Sequence, residues 1–387
     1  MEPYRMTATE VVVQIQSGKL TVEQYAQSLL SRIAKRDPIV KGWAYLNPEL
    51  VLEQARKLDQ TPLESRGPLH GVAVAFNSPT YKDDAPKVDA ASVAILRQAG
   101  ALILGKTTTT EFAATTVGTQ TTNPHDSTRT PGGSSSGSGA VVGDFQAPVG
   151  LGTQTGGSTI RPGSFNGIYA LKPTWNAVSR EGQKIYSPIL DTLGLYARSA
   201  ADLQLLAEVF ALRDDQPVDA GAFTVKGAKI AVCETMVWPN AGPGLEAAMA
   251  KGAELLEAHG ADVEDIVFPD DLRELPEWHA TVMLSDGRTA FLPEYRFAKA
   301  QLSRELVGHV ENRHEISRAE QLRAFDGIAA ARPVVDRMLG RYDAVLVPSV
   351  PDEAPKGLES TGSAAFNGIW TSPLGISICI YWLLLKP

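Results

Sequence analysis

The chain has 387 residues, with 36 Lys and Arg against 44 Asp and Glu, a net charge of −8. That acidic balance argues against nucleic acid or an anionic membrane as the main partner. A hydrophobic share of 43% is ordinary for a globular chain. Length alone would suggest about two or three domains.

The amino terminus, MEPYRMTATEVV, lacks the basic and apolar regions of a secretory leader. Thr21 and Gln24 form a capping-box pattern. Val22, Tyr25, Ala26, Leu29, Leu30 and Ile33 then follow at helical spacing, a stripe read as core packing. Residues 92–99 read as a helix closed by Gly100, and 101–104 as a short apolar strand. Residues 229–233 and 343–347 read as buried strands, and 245–259 as an amphipathic helix stopping at Gly260. The two cysteines, Cys233 and Cys379, cannot supply a disulfide framework and suit a reducing compartment. The longest apolar run, 376–385, is too short to span a bilayer, so no membrane span and a cytoplasmic location are expected. No fixed-period repeat is visible, and the Pro/Gly/Ser-rich segments are too short for interdomain linkers. One α/β domain with a mixed sheet covered by helices is therefore expected over 1–387.

Several motifs in this chain mislead when read without context. Gly100, Gly105, Lys106 and Thr107 satisfy the phosphate-loop pattern, yet the residues between the glycines read as strand, not as a loop of exposed N–H groups. Gly133, Ser135 and Gly137 match a nucleophile elbow, which needs a strand immediately before it. The preceding NPHDSTRTPGG cannot be a buried strand. None of the six histidines pairs with another at metal-ligand spacing, so no metal and no cofactor is expected.

The stretch 131–173 carries more. It reads PGGSSSGSG, then an apolar run ending in GLGTQTGGSTIRPGSFNG, then ALKPT. Two glycine-flanked serines, Ser134 and Ser158, stand in segments too glycine-rich for ordinary helix or strand. A flexible linker would sit between polar segments, whereas Ala140, Val141, Val142 and residues 147–151 embed these loops in apolar sequence. Glycine lets backbone N–H groups crowd round a small target, which suits an oxyanion hole.

Together with GPLHGVAVA, GALILGKT followed by Glu111 and Phe112, NP at 123–124 and LKPT, these loops resemble the amidase signature family of serine hydrolases. The resemblance runs over nearly the whole chain and is densest over 67–198. It implies an amidase-signature α/β fold, a central mixed β-sheet covered by helices on both sides. Residues 1–65 would form an N-terminal helical region, 66–200 the signature core and 201–387 a truncated C-terminal part of the same domain. By position Ser158 would be the nucleophile that attacks a carboxamide and forms an acyl-enzyme, and Ser134 the proton relay. The N–H groups of Thr155, Gly156, Gly157 and Ser158 would be oxyanion donors. The implied partner is a small-molecule amide, and a homodimer is compatible with the family.

The sequence departs from that pattern in places. The family block reads G-P-L-x-G-[IV]-x-[VIF]-x-[VIF]-K-D, and its lysine is the terminal base. Aligned without a gap, Asn77 stands where lysine belongs. The following Ser78, Pro79, Thr80, Tyr81 and Lys82 resemble a later family segment, so a deletion after Ala75 fits better and the base is missing either way. Residues 343–348 and 362–371 look like the late strand and the loop beyond it, and the closing helix of the family does not follow. Gln154 replaces the usual Asp, and Thr159 displaces the usual Ile-Arg pair to Ile160 and Arg161. Three readings follow: an amidase impaired by loss of its base, a non-catalytic homologue that binds a small molecule or partner, and an altered product of an active enzyme's gene.

Overall fold

The structure, a computed structural model, describes residues 2–77, 87–212, 223–372 and 378–380. Lys82 and most of the 376–385 apolar run lie outside these residues.

Ten strands form two sheets among the described residues. They are β1 (Trp43–Leu46), β2 (Ala73–Asn77), β3 (Leu102–Thr107), β4 (Val149–Gln154), β5 (Tyr169–Lys172), β6 (Thr192–Ala197), β7 (Lys229–Glu234), β8 (Asp262–Val267), β9 (Ala344–Leu346) and β10 (Ile378–Ile380). The larger sheet has seven strands in the order β1-β3-β2-β4-β6-β5-β10. It is mixed: β2 runs parallel to β3 and β4, while β1–β3, β4–β6, β5–β6 and β5–β10 are antiparallel. The phosphate-loop lookalike falls inside β3, so its glycine and lysine are strand residues, as the local sequence implies.

Helices cover both faces because strand side chains alternate. In β2, Ala73 and Ala75 face one core while Val74 faces the other. The first core receives α1 (Ala8–Gln16), α2 (Val22–Val40) and α3 (Pro48–Asp59) through Val11, Ile15, Tyr25, Leu29 and Val51. The second takes Leu96 of α4 (Ala91–Gln98). Next come α5 (Ser136–Gly143) and α6 (Ile160–Phe165), whose Val141, Val142 and Ile160 join the first core. Leu203 and Leu206 of α7 (Ala200–Val209) join the second. The capping box of Thr21 and Gln24 is formed, and Gly100 takes the positive φ of 89° that ends α4.

A separate parallel sheet of three strands, β8-β7-β9, lies outside the main sheet, which the sequence pattern alone does not separate. It packs with α8 (Pro243–Ala258), α9 (Leu275–Ala290) and α12 (Arg318–Leu339) through Ala231, Cys233, Met249, Val282, Ile328 and Val335. Between α9 and α12 lie two short helices, α10 (Leu292–Ala298) and α11 (Arg304–Val310). Residues 362–371, expected as loop, contain helix α13 (Ala365–Thr371). Phe366, Ile369 and Trp370, at helical spacing, bury its apolar side in the cores around the second sheet.

Leu195, fully buried on β6, an inner strand of the main sheet, tests this arrangement. Leu195→Ala should cost about 2–5 kcal/mol by urea denaturation, because lost transfer energy and a residual cavity add. A loss under about 1 kcal/mol would contradict this packing.

Candidate active site

β4 ends at Gln154, and the chain then turns through Thr155, Gly156, Gly157 and Ser158 before α6 begins. Glycine suits the turn at 157: a Cβ there would lie 2.4 Å from Asn367 Oδ1, so the Asn367 side chain would have to shift. The Ser134 loop lies alongside. Ser135 N–H donates to the Ser158 carbonyl at 3.4 Å, and the Ser135 hydroxyl accepts from Thr153 N–H at 3.1 Å. Ser135 therefore stitches the two loops together, and no strand of an elbow immediately precedes it.

The Ser134 loop is held by its carbonyls. Ser134 C=O accepts from Ser136 N–H at 2.8 Å, Thr110 N–H at 3.2 Å and the Thr109 hydroxyl at 2.9 Å. Arg161 Nη2 donates to Gly133 C=O at 2.7 Å and to Thr361 Oγ1 at 3.1 Å. Burial lowers this guanidinium to about 10, which still leaves it charged at neutral pH. The Gly133–Ser134 peptide bond is cis. Ser134 Oγ is buried and has no hydrogen-bond partner among the described residues. A direct Ser134–Ser158 hydroxyl bond, expected of a relay, is therefore not formed, although the loops meet.

Behind the second loop, the Thr155 hydroxyl donates to Asp191 Oδ1 at 2.6 Å, and Tyr186 N–H donates to Oδ2 at 2.7 Å. Burial lifts the Asp191 carboxyl to about 6 against the pull of these bonds. The Tyr196 hydroxyl donates to Ser158 C=O at 3.3 Å, and burial raises its pKa. A cavity of about 20 Å³ borders Thr153 and Thr155, with Phe112, Arg180, Lys184 and Tyr186 around it. A larger one of about 430 Å³, lined by Asp37, Lys41, Trp43, Thr108 and Thr109, touches neither serine. The smaller cavity is lined by neither serine, but it reaches Thr155 of the second loop.

Sequence reasoning misses His279, whose neighbours along the chain give it no telling context. It lies on α9 with Cε1 3.4 Å from where a Cβ on Gly156 would sit, and Nε2 is buried without a partner among the described residues. Burial lowers it to about 4, so it is neutral at physiological pH. Lys172 is also buried and lowered to about 8 by desolvation. Its Nζ donates to Pro173 C=O at 2.8 Å, and β6 separates its strand from β4.

The Amidase family profile matches residues 24–367. The chain belongs to the amidase-signature family. One relative, a component of the glutamyl-tRNA(Gln) amidotransferase of Chloroflexus aurantiacus, is 32% identical over 309 residues, taking in 72% of this chain and 63% of the relative. The chain thus spans less than two thirds of the curated relatives it matches first. Among solved structures, one titled "Crystal structure of amidase" superposes with a TM-score of 0.82 at 25% identity, covering 95% of this chain and 89% of that one. Native peptide amidase from Stenotrophomonas maltophilia gives 0.74 at 26% identity, covering 94% and 88%. The amidase-signature fold expected from the motifs is therefore the fold present, with helices on both faces of its main sheet.

Asp191 gives this amidase-family site a pH signature. Its folded pKa of about 6 lies above the roughly 3.9 of an unfolded aspartate. Between those values the unfolded chain has released its proton and the folded chain has not, so stability falls as pH rises from about 4 to about 6. Below and above that window the contribution is constant. Measured by urea denaturation at stepped pH, Asp191→Asn should gain on the order of 3 kcal/mol relative to the parent across it. A difference that does not change with pH would rule out a protonated, buried Asp191.

Proposed function

We propose that this chain is an amidase-type serine hydrolase that cleaves a carboxamide C–N bond through an acyl-enzyme on Ser158. One observation carries the reading: Ser134 Oγ, buried and unpartnered among the described residues, sits on the loop whose Ser135 N–H bonds the Ser158 carbonyl. Ser158 Oγ attacks the carbonyl carbon and its proton passes to the Ser134 side. The N–H groups of Thr155, Gly156, Gly157 and Ser158 receive the oxyanion. The C–N bond then breaks, the amine leaves with a proton, and water hydrolyses the ester on Ser158.

The family's terminal base is the weak point. We read it in one of two ways: aligned without a gap, Asn77 takes the place of the family lysine, or, as fits the neighbouring sequence better, a deletion after Ala75 removes it. We read the oxyanion donors as retained and the proton acceptor as lost, so activated esters should turn over better than amides. The substrate we assign is a small amide and not a nucleic acid, given the −8 charge. We read the chain as one amidase-signature domain, cytoplasmic on its cysteine usage, with a homodimer as the assembly to look for by sedimentation.

A fluorophosphonate probe should label Ser158, and Ser158→Ala should abolish labelling. Ser134→Ala should slow it by less than about 10²-fold, the lower end for a positioned proton acceptor, because the relay has no base behind it. A version with a Lys-Asp-containing segment restored after Ala75 should raise amide turnover by about 10² to 10⁴-fold. Equal amidase rates with and without that segment would mean that another residue serves as base, Lys82 being the first to mutate.

A further inference from the structure

Gln154 ends β4 with a fully buried carboxamide, and each of its ends has a fixed task. Its Oε1 accepts from Thr159 N–H and Ile160 N–H, both at 3.0 Å, at the start of α6. Two backbone donors on one oxygen fix which end of the amide is which. Nε2 must then point the other way, where it donates to Thr371 Oγ1 at 3.0 Å. A hydroxyl has one proton, and the oxygen of Thr371 is already accepting. Its proton goes to a carbonyl: Gly156 C=O lies 2.7 Å away and Asn367 C=O 3.0 Å.

The shorter of these bonds matters for the site. Gly156 C=O shares a planar peptide unit with Gly157 N–H, one of the candidate oxyanion donors. That unit is trans, since the one cis bond among the described residues is Gly133–Ser134. In a trans peptide the C=O and N–H point in opposite directions, so holding the oxygen aims the N–H. Gly156 and Gly157 lack side chains that would restrain this plane themselves.

We propose that Thr371, oriented by Gln154, is a positioning residue that aims Gly157 N–H into the oxyanion hole. This rests on the reading of Ser158 as nucleophile. It also gives the Gln154 departure a physical purpose. A carboxylate there would accept from the helix N–H groups and draw the Thr371 proton to itself, releasing Gly156 C=O. An amide both accepts and donates, so the hydroxyl is driven onto the loop. The hydroxyl arrives from α13, whose Phe366, Ile369 and Trp370 lie in the cores around the second sheet.

The test measures saturating fluorophosphonate labelling, since the phosphonylated serine places an oxygen where the oxyanion forms. Thr371→Val removes the hydroxyl and keeps the shape. It should lower the maximal labelling rate by about 10- to 100-fold, below the loss for a whole missing donor. The half-saturating probe concentration should not change. Thr371→Ser, which keeps the hydroxyl, should recover most of the rate. Should Thr371→Val fail to fold, Gln154→Glu, ionised and of equal size, should produce the same slow labelling. Labelling of Thr371→Val at the parent rate, or a Ser variant as slow as the Val variant, overturns the proposal while Ser158 stands. Labelling of the parent that survives Ser158→Ala instead overturns the reading beneath it.

Discussion

The Gln154 side chain ties both ends of the Ser158 turn to a helix far along the chain. β4 lies at the middle of the large sheet, α6 starts beyond the Ser158 turn, and α13 is more than two hundred residues downstream. One buried amide bonds to both helices at once. A buried amide left unpaired costs about 1–3 kcal/mol for each orphaned group, so rearrangement at either end is penalised. The direction of the turn that carries Ser158 is thereby fixed from two sides.

The second side depends on hydrophobic packing, not on polar bonds. Trp370 meets Phe268 edge-on at 5.5 Å between ring centres, and Ile369 and Phe366 are almost completely buried. The three-stranded sheet and its helices thus act on the site as a mould. They seat α13, and α13 presents Thr371 and Asn367 to the glycine turn. The 2.4 Å approach of Asn367 to a Cβ position at 157 measures how closely this mould fits. An alanine at 157 would have to displace the Asn367 side chain.

Most of this frame can be read from local sequence. The capping box at Thr21, the stripe from Val22 to Ile33 and the strand beginning near residue 102 follow from spacing and end signals within a few residues. The two serine loops are visible because glycine and serine runs embedded in apolar sequence are rarely linkers. α13 escapes notice because its seven residues follow a glycine- and serine-rich approach that reads as loop. Its signal is present in the spacing of Phe366, Ile369 and Trp370. The tasks of Asp191, Arg161 and Tyr196 have no sequence signature. Each acts on a backbone or hydroxyl group that only the fold brings near, as when Arg161 reaches Gly133 and Thr361 together. The separate sheet is hidden for a similar reason, since parallel strands far apart in sequence give no local pairing signal.

Proton acceptance is the remaining constraint on the chemistry, and it divides into basicity and position. Lys172, lowered to about 8 by burial, has the basicity of a useful acceptor near neutral pH. Its ammonium is bonded to Pro173 C=O on a strand that β6 separates from β4. His279 has the better position, packed beside Gly156, and its ring is neutral at pH 7. Yet burial holds it near 4, which makes it a weak base by about three units against one poised at neutrality. Asp191, lifted to about 6, is largely ionised at neutral pH and basic enough, but its oxygens are occupied by Thr155 and Tyr186. Among the described residues, basicity and position therefore do not coincide at Ser134. The oxyanion donors proposed for this site would not share that defect, because they are backbone groups that titrate nowhere near neutrality. On the proposed mechanism, a leaving group that departs without a proton would draw chiefly on those backbone donors.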